Sequence, residues 1–188
     1  MSTRSERVSF YLALRPWWPF NSYRQWVIRK WTSKHDPNFH FNDGETPLTR
    51  LMRSQDKDFL QEGANTLIAG KADLMFRNRL GETPFMVLLR NKDAKAIEQT
   101  TEAFFCGAQH MTGQDNYGVN VLMRAVTAPS RKVLQTVAGT LAAEGKLADA
   151  YMERDVFGNG VLHRVSSIKN DARRSDVKTL LDSYKALA

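Results

Sequence analysis

The chain has 188 residues but only one cysteine, Cys106, which excludes an internal disulfide framework. The protein therefore works in a reducing compartment or does not depend on oxidation. Because Cys106 follows Phe104 and Phe105, we predict a buried structural thiol. No apolar run approaches the roughly 20 residues of a membrane-spanning helix. We therefore expect neither a transmembrane segment nor a conventional signal peptide.

The sequence also lacks the patterns of an active site. Its four histidines are His35, His40, His110 and His163. No two of them have the spacing of a helical zinc site. Cys106 and His110 are four residues apart, but they lack the second pair of ligands that structural zinc needs. No set of nucleophile, base and oxyanion donors is visible, so we predict no enzyme activity, catalytic residue, metal, cofactor or small-molecule substrate.

One short phrase, in contrast, occurs four times. Its copies are residues 44–48 (GETPL), 81–85 (GETPF), 118–122 (GVNVL) and 158–162 (GNGVL). The glycines at 44, 81, 118 and 158 are thus 37, 37 and 40 residues apart. A fixed period in this range predicts stacked structural repeats.

Each position in the phrase has a physical role. Glycine takes a backbone conformation with positive φ that other residues adopt only with strain. Thr46 and Thr83 can cap the helix that follows, and Pro47 and Pro84 suit its first position, where an N–H group has no partner. The apolar residue that ends each copy is predicted to face the stack. These residues are Leu48, Phe85, Leu122 and Leu162.

The residues around the phrase extend the pattern. Asn78, Asp115 and Asp155 stand three residues before a glycine, where such side chains bond their own backbone and set a tight turn. The full pattern, D-x-x-G-x-T-P-L-H-x-A, resembles the ankyrin repeat, and His163 supplies its histidine in the fourth copy. Small-residue turns such as Gly70 to Asp73 resemble the end of that family's outer helix.

The resemblance implies an all-α, ankyrin-like helical solenoid of about four repeats with short hairpin tips, covering residues 37–188. The ankyrin period is about 33 residues, so the longer spacings imply short insertions. A helical stripe closes the chain and is predicted to cap the stack. It consists of Val177, Leu180, Leu181 and Tyr184.

Residues 1–36 differ in composition from the rest. Residues 1–35 carry seven Lys or Arg against one Glu, a net of +6 out of +7 for the chain, together with all four tryptophans. We predict a helix from about residue 21 to about residue 34, with Tyr23, Trp26, Val27 and Trp31 on one side.

Three interpretations of this segment stay open. It can be a helical cap on the first repeat. It can be a contact arm that binds a protein or an anionic membrane surface, where Trp and Arg are both favoured. It can also bind nucleic acid through charge and stacking. The predicted contact residues of the arm are Trp17, Trp18, Arg24, Trp26, Arg29, Lys30 and Trp31.

The resemblance also implies where a partner binds. Members of the family usually bind proteins along a concave face made of the hairpin tips and the inner helices. By register, the predicted partner-binding residues are Arg79, Leu80, Glu82, Arg90, Asn116, Tyr117, Val119, Val156, Phe157 and Asn159. The later tips are apolar and aromatic, which is typical of a binding hot spot. The alternative is that Tyr117 and Phe157 fold back to fill gaps between imperfect repeats.

The predicted function is that of a non-enzymatic protein–protein interaction module: an adaptor, scaffold, inhibitor or subunit of a larger assembly. The alternatives are a membrane-surface or nucleic-acid-associated factor that acts through the arm, and an enzyme whose site lies across repeats. We expect a cytoplasmic protein. Two variants of this hypothesis are a protein at the periphery of a membrane and an effector that another machinery delivers.

Overall fold

The fold is all-α, as predicted. The computed structural model describes residues 21–105 and 113–185, which contain no β-strand and only an isolated bridge between Gln114 and Asn120. The helices are α1 (Asn21–Thr32), α2 (Pro47–Leu51), α3 (Lys57–Ala69), α4 (Pro84–Leu88), α5 (Ala94–Thr101), α6 (Val121–Thr127), α7 (Arg131–Ala143), α8 (Leu147–Met152), α9 (Val161–Ser166) and α10 (Asp171–Lys185). A short 3-10 helix, Glu102–Phe104, continues α5.

The helices pack in two rows. The longer helices α1, α3, α5, α7 and α10 follow one another in the first row, and each packs on the next. The short helices α2, α4, α6 and α9 form the second row in the same way. Contacts between α2 and α3, between α6 and α7, and between α9 and α10 join the rows. The apolar core therefore lies between the two rows.

The turn before each short helix has the same geometry in all four copies. The φ angles of Gly44, Gly81, Gly118 and Gly158 are 76°, 74°, 76° and 78°. The N–H group of each of these glycines donates to the carbonyl three residues earlier, at 2.8–2.9 Å. The register predicted from the repeated phrase is thus confirmed at the level of the turn.

Side chains close these turns in the predicted manner. Asn78 Oδ1 accepts the N–H groups of Leu80 and Glu82 at 2.9 and 3.0 Å. Asp115 and Asp155 accept the N–H groups two and four residues further on in the same way. A short polar side chain therefore holds each of the last three turns.

The short helices begin at the predicted caps. Pro47 and Pro84 are the first residues of α2 and α4, and the preceding Thr46 and Thr83 accept N–H groups of the first helical turn at 3.3 Å. Asn120 does the same for α6 at 2.8 Å. Gly160 precedes α9 and offers no side-chain cap.

The apolar residue of the phrase is buried in three copies and exposed in the fourth. Leu48, Phe85 and Leu122 are fully buried. Leu162, predicted to face the stack, is 50% exposed, so that prediction is wrong. The reason is that α9 is the last described helix of its row, and no further short helix covers Leu162.

The final helix carries the predicted stripe. Val177, Leu180 and Leu181 are buried where α10 packs on α7 and α9, and Tyr184 is partly buried. The Tyr184 hydroxyl donates to the carbonyl of Gln135 at 3.3 Å. The stripe therefore anchors α10 at the end of the first row.

Helix α1 packs on α3 through one face, but that face is not the predicted one. Val27, Ile28 and Trp31 are buried, whereas Tyr23 and Trp26 are 47% and 51% exposed. A helix advances about 100° per residue, so residues 24, 27, 28 and 31 form one face and residues 23, 26 and 30 the next. The prediction of a single aromatic face is wrong. Trp17, Trp18 and Cys106 lie outside the described residues.

Candidate partner-binding surface

The tips of the second, third and fourth turns lie side by side. The N–H group of Asn116 donates to the carbonyl of Leu80 at 2.9 Å, and the N–H group of Val156 donates to the carbonyl of Tyr117 at 2.8 Å. These backbone bonds join neighbouring tips at equivalent positions. They therefore bring together residues that are 36 and 39 positions apart in the sequence.

The side chains on these tips are apolar and exposed. We call Leu80, Tyr117, Val156 and Phe157 the tip strip. They are 38%, 51%, 62% and 78% exposed. The alternative in which Tyr117 and Phe157 fold back into gaps is therefore wrong. A row of exposed apolar side chains on adjacent turns is a feature of interaction surfaces.

Polar residues predicted to bind a partner flank the strip. Arg79 and Asn116 are both exposed. Arg79 Nη2 donates to the carbonyl of Asn42 at 3.0 Å, and Asn116 Nδ2 donates to the carbonyl of Arg79 at 2.9 Å. These bonds connect each tip to the one before it. The backbone that carries the tip strip is therefore held by hydrogen bonds between neighbouring turns. Asn159 is half-buried, and its N–H group donates to Asp155 at 2.9 Å.

Two predicted contact residues are buried and cannot touch a partner. Glu82 is 1% exposed and Val119 is 6% exposed. Each follows its positive-φ glycine, and its side chain turns beneath the tip instead of outward. Val119 joins the core. Glu82 lies 2.9 Å from a nitrogen of Arg90 and 2.9 Å from a nitrogen of Arg124.

Arginines from the short helices neutralise the carboxylates beneath the tips. Arg124 Nη2 bridges Glu82 and Asp115, at 2.9 and 2.6 Å. Arg164 Nη2 donates to Asp155 at 2.8 Å. Arg124 and Arg164 were missing from the predicted site. The sequence signal that could have shown them is their spacing. Each arginine follows the aspartate of its turn by nine residues and is the fourth residue of the short helix after that turn.

The charge network perturbs the ionisation of Asp155. Burial by itself would raise the pKa of this carboxyl group. The N–H groups of Asn159 and Phe157, together with the Arg164 guanidinium, outweigh burial and hold the pKa of Asp155 below its ordinary value. Asp155 is therefore an ionised acceptor at neutral pH, and it fixes the tip that carries Val156 and Phe157.

A basic pocket lies between the ends of α4 and α6 and the first turns of α10. Its volume is about 380 Å³, and four of its eight lining residues are Arg or Lys, with no acidic residue among the eight. The four cationic residues are Arg90, Lys92, Arg124 and Arg173. Only Arg90 was predicted from the sequence. Arg124 follows the turn aspartate by nine residues, a signal that was not used, whereas Lys92 and Arg173 have no position in the repeated phrase.

The exposed face of α1 is a separate surface. The rings of Tyr23 and Trp26 stack with centroids 5.7 Å apart, and Lys30 Nζ lies 4.5 Å from the centre of the Trp26 ring. Arg29 is exposed and pairs with Glu62 of α3. Trp26, Arg29 and Lys30 are therefore accessible, and the contact role of these arm residues stays a prediction.

The other two described arm residues cannot do so. Trp31 is 6% exposed and Arg24 is 1% exposed. The Arg24 guanidinium lies 3.4 Å from the centre of the Phe59 ring and 3.5 Å from Asp56. Arg24 thus fastens α1 to α3, and Trp31 packs its ring against His35 and Phe39. The contact role predicted for these two residues is corrected to a packing role.

Within residues 21–105 and 113–185, no group of three or more His, Cys, Asp or Glu side chains is placed to hold a metal ion. None of the described helices is both long and apolar enough to cross a bilayer. Comparison of the chain with protein-family models and with curated protein sequences gives no match.

Proposed function

We propose that residues 37–188 are an ankyrin-like solenoid of four repeats, capped by α1, and that the chain is a non-enzymatic protein-binding module. The support for this architecture is the recurrence of one unit: a turn with a positive-φ glycine, a capped short helix and a longer helix. In successive units, each long helix packs on the next long helix and each short helix packs on the next short helix. Such a stack presents the same part of every repeat on one side.

The observation that carries the proposal is the exposure of the tip strip. Tyr117, Val156 and Phe157 are each more than half exposed, although Val and Phe are among the residues that folded proteins most often bury. Aromatic and aliphatic anchors with a polar rim are the residues that dominate binding energy in protein interfaces. The rim here is provided by Arg79 and Asn116.

The backbone of the strip is also suited to binding. Hydrogen bonds between successive tips and the Asp155 carboxylate hold these turns in place before any partner arrives. Binding to a pre-organised surface loses less conformational entropy than binding that orders a loose loop. We therefore infer that the strip contacts a folded protein or a segment of one, without rearranging.

The exposed face of α1 supports a second candidate function. Tyr23, Trp26 and Lys30 combine aromatic rings with a cation, which is the composition of a contact to an anionic membrane surface. In this candidate the stack is the support and α1 makes the contact. Because its attraction depends on charge, such binding weakens as salt is added.

Affinity capture from the cells that make this protein tests the tip strip, and sedimentation of the same chains with anionic lipid vesicles tests the α1 surface. The baits are the full chain, a Tyr117→Ser, Phe157→Ser variant and a Trp26→Ser variant. Their melting temperatures should match, because all three positions are exposed. Loss of two anchors should remove about 2 kcal/mol or more of binding energy, roughly a 30-fold loss of affinity.

We expect a captured protein that the tip variant loses and the Trp26→Ser variant keeps. The reverse result, retention by the tip variant and loss by the Trp26→Ser variant, would reject the tip strip in favour of α1. Retention of every captured protein by both variants would reject both surfaces as protein-binding sites, and vesicle binding that the Trp26→Ser variant keeps would reject Trp26 as a membrane contact.

A further inference from the structure

The basic pocket contains more positive charge than its surroundings neutralise. Arg90 and Arg124 share Glu82, and Arg124 also contacts Asp115. Lys92 is exposed, and neither it nor Arg173 forms an ion pair within residues 21–105 and 113–185. Four cations therefore face two carboxylates, and both of those carboxylates lie beneath the tips rather than in the pocket lining.

Two of these cations are held in fixed positions. Arg173 donates to the carbonyl groups of Ala128 and Pro129, which are neutral acceptors and leave its charge uncompensated. Arg124 is held from beneath by Glu82 and Asp115. Planar guanidinium groups that are already oriented lose little freedom when they bind a carboxylate, and they can donate two parallel hydrogen bonds to it.

The pocket is connected to the tip strip through shared residues. Glu82 belongs to the second tip, two residues after Leu80, and it contacts both Arg90 and Arg124 of the pocket. Helices α4 and α6 span five and seven residues, so the strip at their start and the pocket at their end are roughly 10 Å apart at 1.5 Å per residue. One segment of a partner can reach both.

We propose that this pocket receives the carboxylates of an acidic segment of the protein partner, next to the apolar side chains that cover the tip strip. This inference rests on the proposed function and names the chemistry of its partner: apolar residues with Asp or Glu beside them. The charge of the pocket selects the acidic neighbours, and the tips supply the apolar contact.

A deca-glutamate peptide tests the pocket without the tips. The peptide is titrated into the ¹⁵N-labelled full chain at low salt, and the amide signals are followed residue by residue. We expect saturable shifts for residues 89–92, 127 and 128, which surround the pocket. Site-resolved signals keep this binding apart from any attraction of the peptide to the basic residues 1–35.

Two charge-reversal variants provide the matched comparison. Lys92→Glu changes the pocket, and Lys95→Glu makes the same change of net charge three residues further on, outside the pocket lining. Both lysines are exposed, so both variants should fold as the parent does. We expect Lys92→Glu to weaken deca-glutamate binding about tenfold or more and Lys95→Glu to weaken it less than about twofold.

Equal weakening by the two variants, or no shifts around the pocket, would overturn the proposal. So would inorganic polyphosphate that binds in a Lys92-dependent manner where deca-glutamate does not bind, because the pocket would then select phosphate. If the pocket fails these tests while partner capture still depends on Tyr117 and Phe157, only this inference falls. If deca-glutamate binds but the tip variant keeps its partner, the tip strip falls and the pocket stands.

Discussion

Two alanine substitutions can measure the contact between the third and fourth tips. Gly118 and Gly158 have nearly the same backbone conformation, with φ of 76° and 78°. An ideal Cβ atom on Gly118 would lie 2.9 Å from the Cα atom of Asp155 and 3.1 Å from the carbonyl oxygen of Arg154. A Cβ atom on Gly158 would have no neighbour within 4 Å. The two positions thus share backbone strain and differ in packing.

The expected costs follow from these two contributions. Alanine at positive φ costs about 1–2 kcal/mol at either position. The gain from a less flexible unfolded chain, about 0.4–1 kcal/mol, is also common to both. Only Gly118→Ala must in addition push the backbone of the fourth turn away, which costs about 1–3 kcal/mol in a packed structure. We therefore expect Gly118→Ala to be the less stable variant by about 2 kcal/mol.

Thermal unfolding followed by far-ultraviolet circular dichroism is the assay. For a chain of this size, 1 kcal/mol corresponds to a shift of about 2–4 °C in the melting midpoint. The Gly118→Ala midpoint should therefore lie roughly 6 °C below that of Gly158→Ala, and urea unfolding should rank the variants in the same order. Midpoints within about 1 °C of each other would show that the third and fourth tips are not in close contact. This result would refute the side-by-side arrangement of the tips.

Two further predictions concern α1 and the fourth turn. Trp31→Ala removes a buried ring that packs against His35 and Phe39 and should cost about 3–5 kcal/mol. Trp26→Ala changes an exposed ring and should stay within about 0.5 kcal/mol. Similar costs of the two variants in urea unfolding would contradict the assignment of one buried and one exposed face to α1. The asparagine in Asp155→Asn can still accept the two N–H groups of its turn, as Asn78 does. It loses the charged hydrogen bond to Arg164, so at neutral pH the variant should lose about 1.5–3 kcal/mol of unfolding free energy. Because the folded pKa of Asp155 lies below its ordinary value of 3.8, the wild-type chain keeps this contribution above about pH 4 and loses it as the pH falls through the folded pKa. The gap between Asp155→Asn and wild type should therefore close in acid, and a gap that stays constant from neutral pH to acid would contradict the role of the carboxylate.

Prediction of the fold from the sequence was most successful where neighbouring residues in the chain decide the local structure. The repeated phrase predicted the positive-φ glycines, the capped starts of α2 and α4 and the Asn or Asp acceptor of each later turn. These features depend on residues within about five positions of one another. The preferences of Gly, Pro, Thr and Asn for such conformations act in the same way in a short peptide as in the folded chain.

The candidate site was predicted only in part, because side-chain direction depends on what packs against the backbone. Register placed Glu82 and Val119 at the tips, yet both turn inward toward the short helices. Tyr23 and Trp26 were assigned to the face of Trp31, but Trp31 is buried and both Tyr23 and Trp26 are exposed on the neighbouring face. A periodic pattern shows that a helix has an apolar side, but the partner helix decides which residues that side includes.

By itself, the sequence determined the all-helical class, the four turns and the apolar character of the later tips, since these follow from residue types and short spacings. Only the tertiary structure decided that Leu80, Tyr117 and Phe157 form one exposed strip. It also decided that Arg90, Lys92, Arg124 and Arg173 surround one pocket. The physical reason is that these groups come from segments up to 83 residues apart, and only the stacking of the helices brings their side chains together.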